Sequence, residues 1–154
     1  MKTLVTLGPA RMGEAAHIAN MSRTLVEPGL PWSWTPRRIA QHMRQRDNMV
    51  ITARVDDELA GFIMAHFGDD NVHVTLLAVA ERARRRAIGR QLLAWIEESA
   101  VTAGIFTVNL ELRADNTVAR LFYRALGYRE AGRLARYYSG VEDAVRMTRD
   151  LACR

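Results

Sequence analysis

The chain has 154 residues, 49% of them hydrophobic and 25% charged, with 22 basic against 17 acidic side chains and a net charge of +5. Those proportions belong to one ordinary globular domain and exclude a disordered, collagen-like or disulfide-stapled chain. The lone cysteine, Cys153, and four scattered histidines (His17, His42, His66, His73) have no metal-ligand spacing, so no metal is expected.

Lys2 is the only lysine, so the positive charge is almost wholly arginine. A guanidinium reads phosphate well. The excess therefore points to a phosphate-bearing cofactor, a nucleic acid or an anionic membrane, or else to a plain compositional bias. No apolar run approaches the roughly 18 residues of a membrane span. The N-terminal apolar stretch is too short for a signal peptide. A cytoplasmic location with no membrane partner is expected. Nothing divides the chain, and residues 1–154 read as one domain.

Taken in order, Thr3–Leu7 predicts a short strand and Pro9–Thr24 a helix, broken by Pro28-Gly29 and Pro31. Thr35 caps a second helix with Pro36 at its first position, running to about Arg46. Met49–Val55 and Leu59–Phe67 predict a hairpin around Asp56-Asp57-Glu58, and Gly68–Asn71 a turn into a strand at Val72–Val79. A long helix follows from about Ala87 to Ala103, with Ile88, Leu92, Leu93, Ile96, Ala100 and Ala103 on one face and Gly104 as its stop. Ile105–Arg113 predicts a strand, Asn116–Leu126 a capped helix ended by Gly127, and Tyr128–Tyr138 with Glu142–Leu151 a hairpin around Ser139-Gly140. The fold class is α/β (α+β), a mixed, mostly antiparallel sheet flanked by helices.

Three segments can carry chemistry. The first is Arg84-Arg85-Arg86-Ala87-Ile88-Gly89-Arg90, where a strand meets a helix N-terminus. Such a terminus has unpaired N–H groups and a partial positive charge, and so favours an anion. A solvated basic turn and a nucleic-acid contact are the other readings; neither a P-loop nor a dinucleotide fingerprint is present. The second is the strand in which Phe106, Val108, Leu110 and Leu112 alternate with Thr107, Asn109, Glu111 and Arg113. On an edge strand the polar face would simply be wet; beside a cleft Glu111 becomes a candidate general base. The third is the helix after Asn116. A core stripe of Val118, Leu121, Phe122 and Ala125 would place Tyr123 roughly 150° away, in a different compartment.

Together these segments resemble the GNAT superfamily of acyl-CoA-dependent N-acetyltransferases. Arg84–Gly89 stands in place of the family's Q/R-x-x-G-x-G/A motif, with Ala87 where the first glycine is usual. Leu110-Glu111-Leu112-Arg113, Asn116, Leu121-Phe122-Tyr123 and Leu126-Gly127-Tyr128 match its second half. Leu30-Pro31-Trp32-Ser33, Arg136-Tyr137-Tyr138 and Glu142-Asp143-Ala144 resemble the ribosomal-protein-alanine N-acetyltransferase branch. The resemblance implies acetyl-CoA as co-substrate and no metal. It places Leu77 and Val79 on the pantetheine arm, the amides from Arg85 to Arg90 on the pyrophosphate, with Arg84, Arg85, Arg86 and Arg90 adding charge, and Asn116 on the arm. It makes Tyr123 the partner of the thioester sulfur, Glu111 the water-linked base, and Trp32, Trp34, Tyr137 and Tyr138 the acceptor side. Ala87 is compatible with this only if its φ is negative and the pyrophosphate leaves room for a methyl group.

The acceptor implied is the N-terminal α-amine of a protein or peptide. An α-amine with a pKa near 8 is about a tenth neutral at pH 7, whereas a lysine near 10.4 is neutral in fewer than about one molecule in a thousand. A small-molecule amine, a nucleic-acid-binding module using Arg82–Arg90, and a CoA-binding regulator without catalysis are the alternatives. A monomer and a homodimer are both compatible with the sequence.

Overall fold

The structure is a computed structural model describing residues 4–140 and 142–153. Strand β1 (Val5–Pro9) leads through a 3-10 turn at Met12–Glu14 into α1 (Ala15–Met21), a π-helical turn at Ser22–Val26, and α2 (Pro36–Arg44). A meander of β2 (Asn48–Val55), β3 (Glu58–Phe67) and β4 (Val72–Val79) follows. Helix α3 (Ile88–Thr102) then crosses to β5 (Thr107–Arg113), and α4 (Thr117–Ala125) precedes the hairpin of β6 (Arg129–Tyr138) and β7 (Glu142–Asp150). The seven strands form one sheet in the order β1-β2-β3-β4-β5-β7-β6, antiparallel throughout except for the parallel pair β4–β5. The expected α/β class and mixed, mostly antiparallel sheet are both present. Among the described residues no helix is long and apolar enough to cross a membrane.

Local signals account for most boundaries. The Thr35 hydroxyl accepts from the Arg38 N–H at 3.3 Å, with Pro36 at the first helical position, a cap worth about 1 kcal/mol. Asp56 and Asp57 both take positive φ (52° and 68°), the conformation a two-residue hairpin turn requires. The first helix is the main departure. Pro9 closes β1 instead of opening a helix, because residues 5–9 pair with Val55–Ile51 on the sheet edge, where a missing N–H costs no ladder bond. Only Ala15–Met21 of the expected Pro9–Thr24 helix is α-helical. Thr3, the expected start of the first strand, lies outside the described residues.

The core has two layers divided by the sheet. On one side Ile88, Leu92, Leu93, Ile96 and Ala100 of α3 pack on Ile51, Ile63, Val72 and Val74. Ala103, expected in that stripe, is exposed at the helix end. On the other side α1 and α2 pack Ile18, Ala19 and Ile39 on Phe62, Met64, Leu76 and Ala78. Residues 72, 74, 76 and 78 would share one face of a regular strand. They do not, because Ala65 pairs with Val74 and Met64 with Leu76, leaving Thr75 as an extra residue. This bulge flips the alternation and bends β4.

Helix α4 corrects the sequence reading. Val118 is 81% and Leu121 57% exposed, and Ala125 is exposed as well. The packed stripe is Ala119, Phe122, Tyr123 and Leu126, rotated by one residue from the expected one. Tyr123 is the fully buried member of this helix. Hydrophobicity alone favoured the larger aliphatic side chains; the partner surface, a cleft and not a closed core, selects the other face.

Candidate active site

The bulge at Thr75 creates the site. Strands β4 and β5 are paired only through Val72–Val108, His73–Asn109 and Val74–Leu110, whereas β5 stays paired with β7 along its whole length. Beyond Val74 the two strands separate, and the β5-facing backbone edge of β4 has no partner strand among the described residues. Unpaired backbone groups beside a cleft call for a ligand or water. Two clefts open there, of about 770 Å³ and 440 Å³. They share Leu25, Leu77, Asn116, Ala119 and Tyr123, so Tyr123 stands where one meets the other.

The larger cleft joins the open edge of β4 to the basic turn before α3. Leu77 and Val79 line it from the open edge of β4, and Arg84, Arg85, Ala87, Ile88, Gly89 and Arg90 line its far end. Arg85 and Ala87 both have positive φ (69° and 57°), which corrects the expectation of negative φ at Ala87. The turn needs a left-handed residue there whether or not glycine supplies it. The amides from Arg85 to Arg90 have no acceptor among the described residues; the first bond of the helix is Gln91 N–H to the Ala87 carbonyl, 3.0 Å. Arg86 is the exception among the predicted anion residues. It does not line the cleft, and its carbonyl accepts from the Gln91 side chain at 3.1 Å. Gly89 is packed closely: a Cβ there would lie 3.2 Å from the Phe122 ring, which would have to shift by a few tenths of an ångström. The free amides, the guanidiniums and the unpaired strand edge fit a pantetheine arm with its pyrophosphate.

At the junction, the Asn116 side chain is occupied in capping α4, accepting from the Ala119 N–H at 3.1 Å. Tyr123 is held edge-on between Phe122 and Tyr128, with ring centroids 5.1 and 5.6 Å away. Tyr128 is itself fixed by its hydroxyl, which donates to Glu97 at 2.8 Å, as does Arg149. Burial pushes the Tyr123 phenol well above its ordinary value, with nearby Tyr138 adding to the effect, so the proton is retained. The Tyr123 hydroxyl makes no hydrogen bond within the described residues.

The smaller cleft holds the polar face of β5. Burial of the Glu111 carboxylate disfavours its charge, but hydrogen bonds and charge from His73 and then Arg146 outweigh it and hold its pKa below the usual carboxylate value. One Glu111 oxygen meets His73 Nε2 at 2.5 Å and the other accepts from Arg146 at 3.2 Å. Tyr137 and Tyr138 stack edge-on at 5.0 Å and line the same cleft. Trp34 lines it too, whereas Trp32 does not: the Trp32 indole N–H donates to the Ala19 carbonyl at 3.3 Å and Arg23 lies over its ring.

Sequence reasoning missed two cleft residues. His73 was read only for metal spacing. Its alternation with Val72 and Val74 puts it on the polar face, and the parallel register with Asn109 brings it to Glu111. Glu27 follows the π turn and is buried, accepting from Ser22 Oγ at 2.9 Å, Ser33 N–H at 2.8 Å and Ser33 Oγ at 2.6 Å. No local pattern announces it. Arg113 ties the same segment to β5, donating to the Val26 carbonyl at 3.0 Å.

The splayed β4–β5 pair and the basic turn between β4 and α3 agree with the transferase fold that the sequence resemblance implies. Residues 18–128 match the Acetyltransferase (GNAT) family, and the chain belongs to it. It is 36% identical over 103 residues to the [Ribosomal protein bS18]-alanine N-acetyltransferase of Salmonella typhimurium, covering 65% of this chain and 68% of that one. It is 29% identical over 155 residues to an N-alpha-acetyltransferase of Sulfurisphaera tokodaii, covering 92% and 90%. A GNAT family acetyltransferase from Elizabethkingia anophelis, solved with acetyl-CoA bound, shares the fold with a TM-score of 0.76 at 18% identity, covering 96% and 98%. The chain is an acetyl-CoA-dependent N-acetyltransferase.

Proposed function

We propose that the acceptor is the N-terminal α-amine of a protein or peptide, and that it enters through the smaller cleft. The observation that carries this reading is the position of Tyr123 between the two clefts, with the His73–Glu111 pair on the acceptor side. The names of the relatives from Salmonella typhimurium and Sulfurisphaera tokodaii support it.

The roles follow from the contacts. Bound acetyl-CoA supplies an acyl group on a thioester whose thiolate must leave. Leu77 and Val79 hold the pantetheine arm through the open edge of β4, and the Arg85–Arg90 amides with Arg84, Arg85 and Arg90 side chains hold the pyrophosphate. Asn116 shapes the junction by fixing the start of α4. Glu111 is ionised and engaged through both oxygens, which makes it a poor base. It instead fixes His73 with the proton on Nε2, leaving the Nδ1 lone pair free among the described residues. His73 accepts the proton of the amine, directly or through a water. Tyr123, which keeps its proton, donates a hydrogen bond to the leaving sulfur and stabilises the charge that develops there, and the thiolate leaves to take its proton from solvent. Tyr137, Tyr138 and Trp34 enclose the acceptor. An α-amine needs little help to lose a proton near neutrality, so a single imidazole suffices.

The test is acetyl transfer to Ala-starting peptides by the wild type and by Tyr123→Phe. Loss of this hydrogen-bond donor is expected to lower kcat by about 100-fold with little change in KM. Unchanged turnover would remove Tyr123 from the chemistry, and transfer confined to small amines would overturn the acceptor assignment.

A further inference from the structure

Resting on that N-terminal reading, we infer that Arg38 selects acceptors carrying an acidic side chain close behind the amine. The charges that line the acceptor cleft are satisfied within the protein, with one exception. Glu111 is met by His73 and Arg146, and Glu27 accepts from Ser22 and Ser33. Arg113 lies 3.6 Å from Glu142. Arg38 also lines this cleft and has no carboxylate partner among the described residues.

Its guanidinium is nonetheless held in place. Its Cζ lies over the Trp34 ring, 3.8 Å from the centroid, and one N–H donates to the Ser33 carbonyl at 3.3 Å. Trp34 is in turn braced edge-on by His42, with centroids 5.7 Å apart. Stacking uses the face of a guanidinium and leaves its in-plane donors free. A fixed, planar fork with unused donors is matched by a carboxylate, which accepts two parallel hydrogen bonds. A basic side chain at the same place would be repelled, and a neutral one would leave the donors to water. Ser33, Trp34 and Arg38 line the same cleft as His73, Tyr137 and Tyr138, so a peptide whose amine lies at His73 shares that cleft with Arg38. The arrangement therefore favours Asp or Glu at those positions.

The experiment uses the full chain and three C-terminally amidated peptides starting Ala-Glu-Glu, Ala-Gln-Gln and Ala-Lys-Lys, otherwise identical, so that only side-chain carboxylates differ. The wild type is expected to prefer the Glu over the Gln peptide by about 3- to 5-fold in kcat/KM, expressed in KM. Arg38→Gln is expected to erase that ratio, and Arg38→Glu to reverse the order of the Glu and Lys peptides. Equal use of the Glu and Gln peptides by the wild type, or a ratio that survives in Arg38→Gln, overturns the inference while leaving N-terminal acetylation standing. Acetylation of a small amine with no transfer to any of the three peptides overturns the N-terminal reading and this inference with it.

Discussion

Ala87 offers a direct test of how the anion loop is built. Its φ of 57° and ψ of 26° put an alanine in the left-handed region at the N-cap of α3. For an L-residue with a Cβ this conformation costs about 1–2 kcal/mol. Ala87→Gly removes that cost. Glycine also gains freedom in the unfolded chain, which offsets about 0.4–1 kcal/mol. The net expectation is a stabilisation of about 0.5–1 kcal/mol, or about 1–4 °C in Tm for a chain of this size. Urea titration at constant m-value and a thermal scan measure it. Gly104, at φ 78° with nothing within 4 Å of an added Cβ, provides the reciprocal control. Gly104→Ala imposes the same strain in open space and is expected to destabilise by about 1 kcal/mol. Destabilisation by Ala87→Gly, alongside the expected loss in Gly104→Ala, would refute the left-handed turn at Ala87 and the loop geometry drawn from it.

Three further outcomes are expected. The native pKa of Glu111 lies below its unfolded value, so the stability it contributes is full above the usual carboxylate range and is lost as pH falls through the native value. Wild type should therefore lose more stability than Glu111→Gln on the acid side of about pH 4.5, by urea midpoints across pH, and parallel curves would contradict the pairing with His73. Gly89→Ala forces a methyl group to 3.2 Å from Phe122 and should cost about 1–3 kcal/mol while weakening acetyl-CoA binding by calorimetry; unchanged stability would show that α4 yields freely. Thr35→Ala removes the cap of α2 and should cost about 1 kcal/mol in the same titration, a neutral result excluding the cap.

Much of the fold was legible because it rests on local rules. Thr35-Pro36, Asp56-Asp57, Gly104 and Gly127 each mark a boundary through capping or backbone conformation, and the α3 stripe through its period. What was not legible depended on partners distant in sequence. Pro9 looked like a helix start until its pairing with Ile51 placed it in an edge strand. The α4 stripe was assigned to Val118 and Leu121 because their hydrophobicity was visible and the cleft under Ala119 and Tyr123 was not. The site divides the same way. Glu111, Asn116 and Tyr123, which line the clefts, are singled out by strand alternation, capping and family resemblance. His73 and Glu27 required the β4–β5 register and the π turn, which no spacing in one segment encodes. Arg86 was grouped with its neighbours by sequence, but the left-handed turns on both sides of it direct its neighbours into the cleft without it.

The account turns on which nitrogen receives the acetyl group. A peptide beginning Ala-Glu-Glu and containing one internal lysine presents both amines in one molecule. After incubation with the protein and acetyl-CoA, fragmentation mass spectrometry locates the added group. The expected site is the alanine α-nitrogen, with the lysine unmodified near neutral pH, where its amine is almost wholly protonated. Acetylation of the lysine in preference to the α-nitrogen would contradict the assignment of the smaller cleft to N-terminal amines.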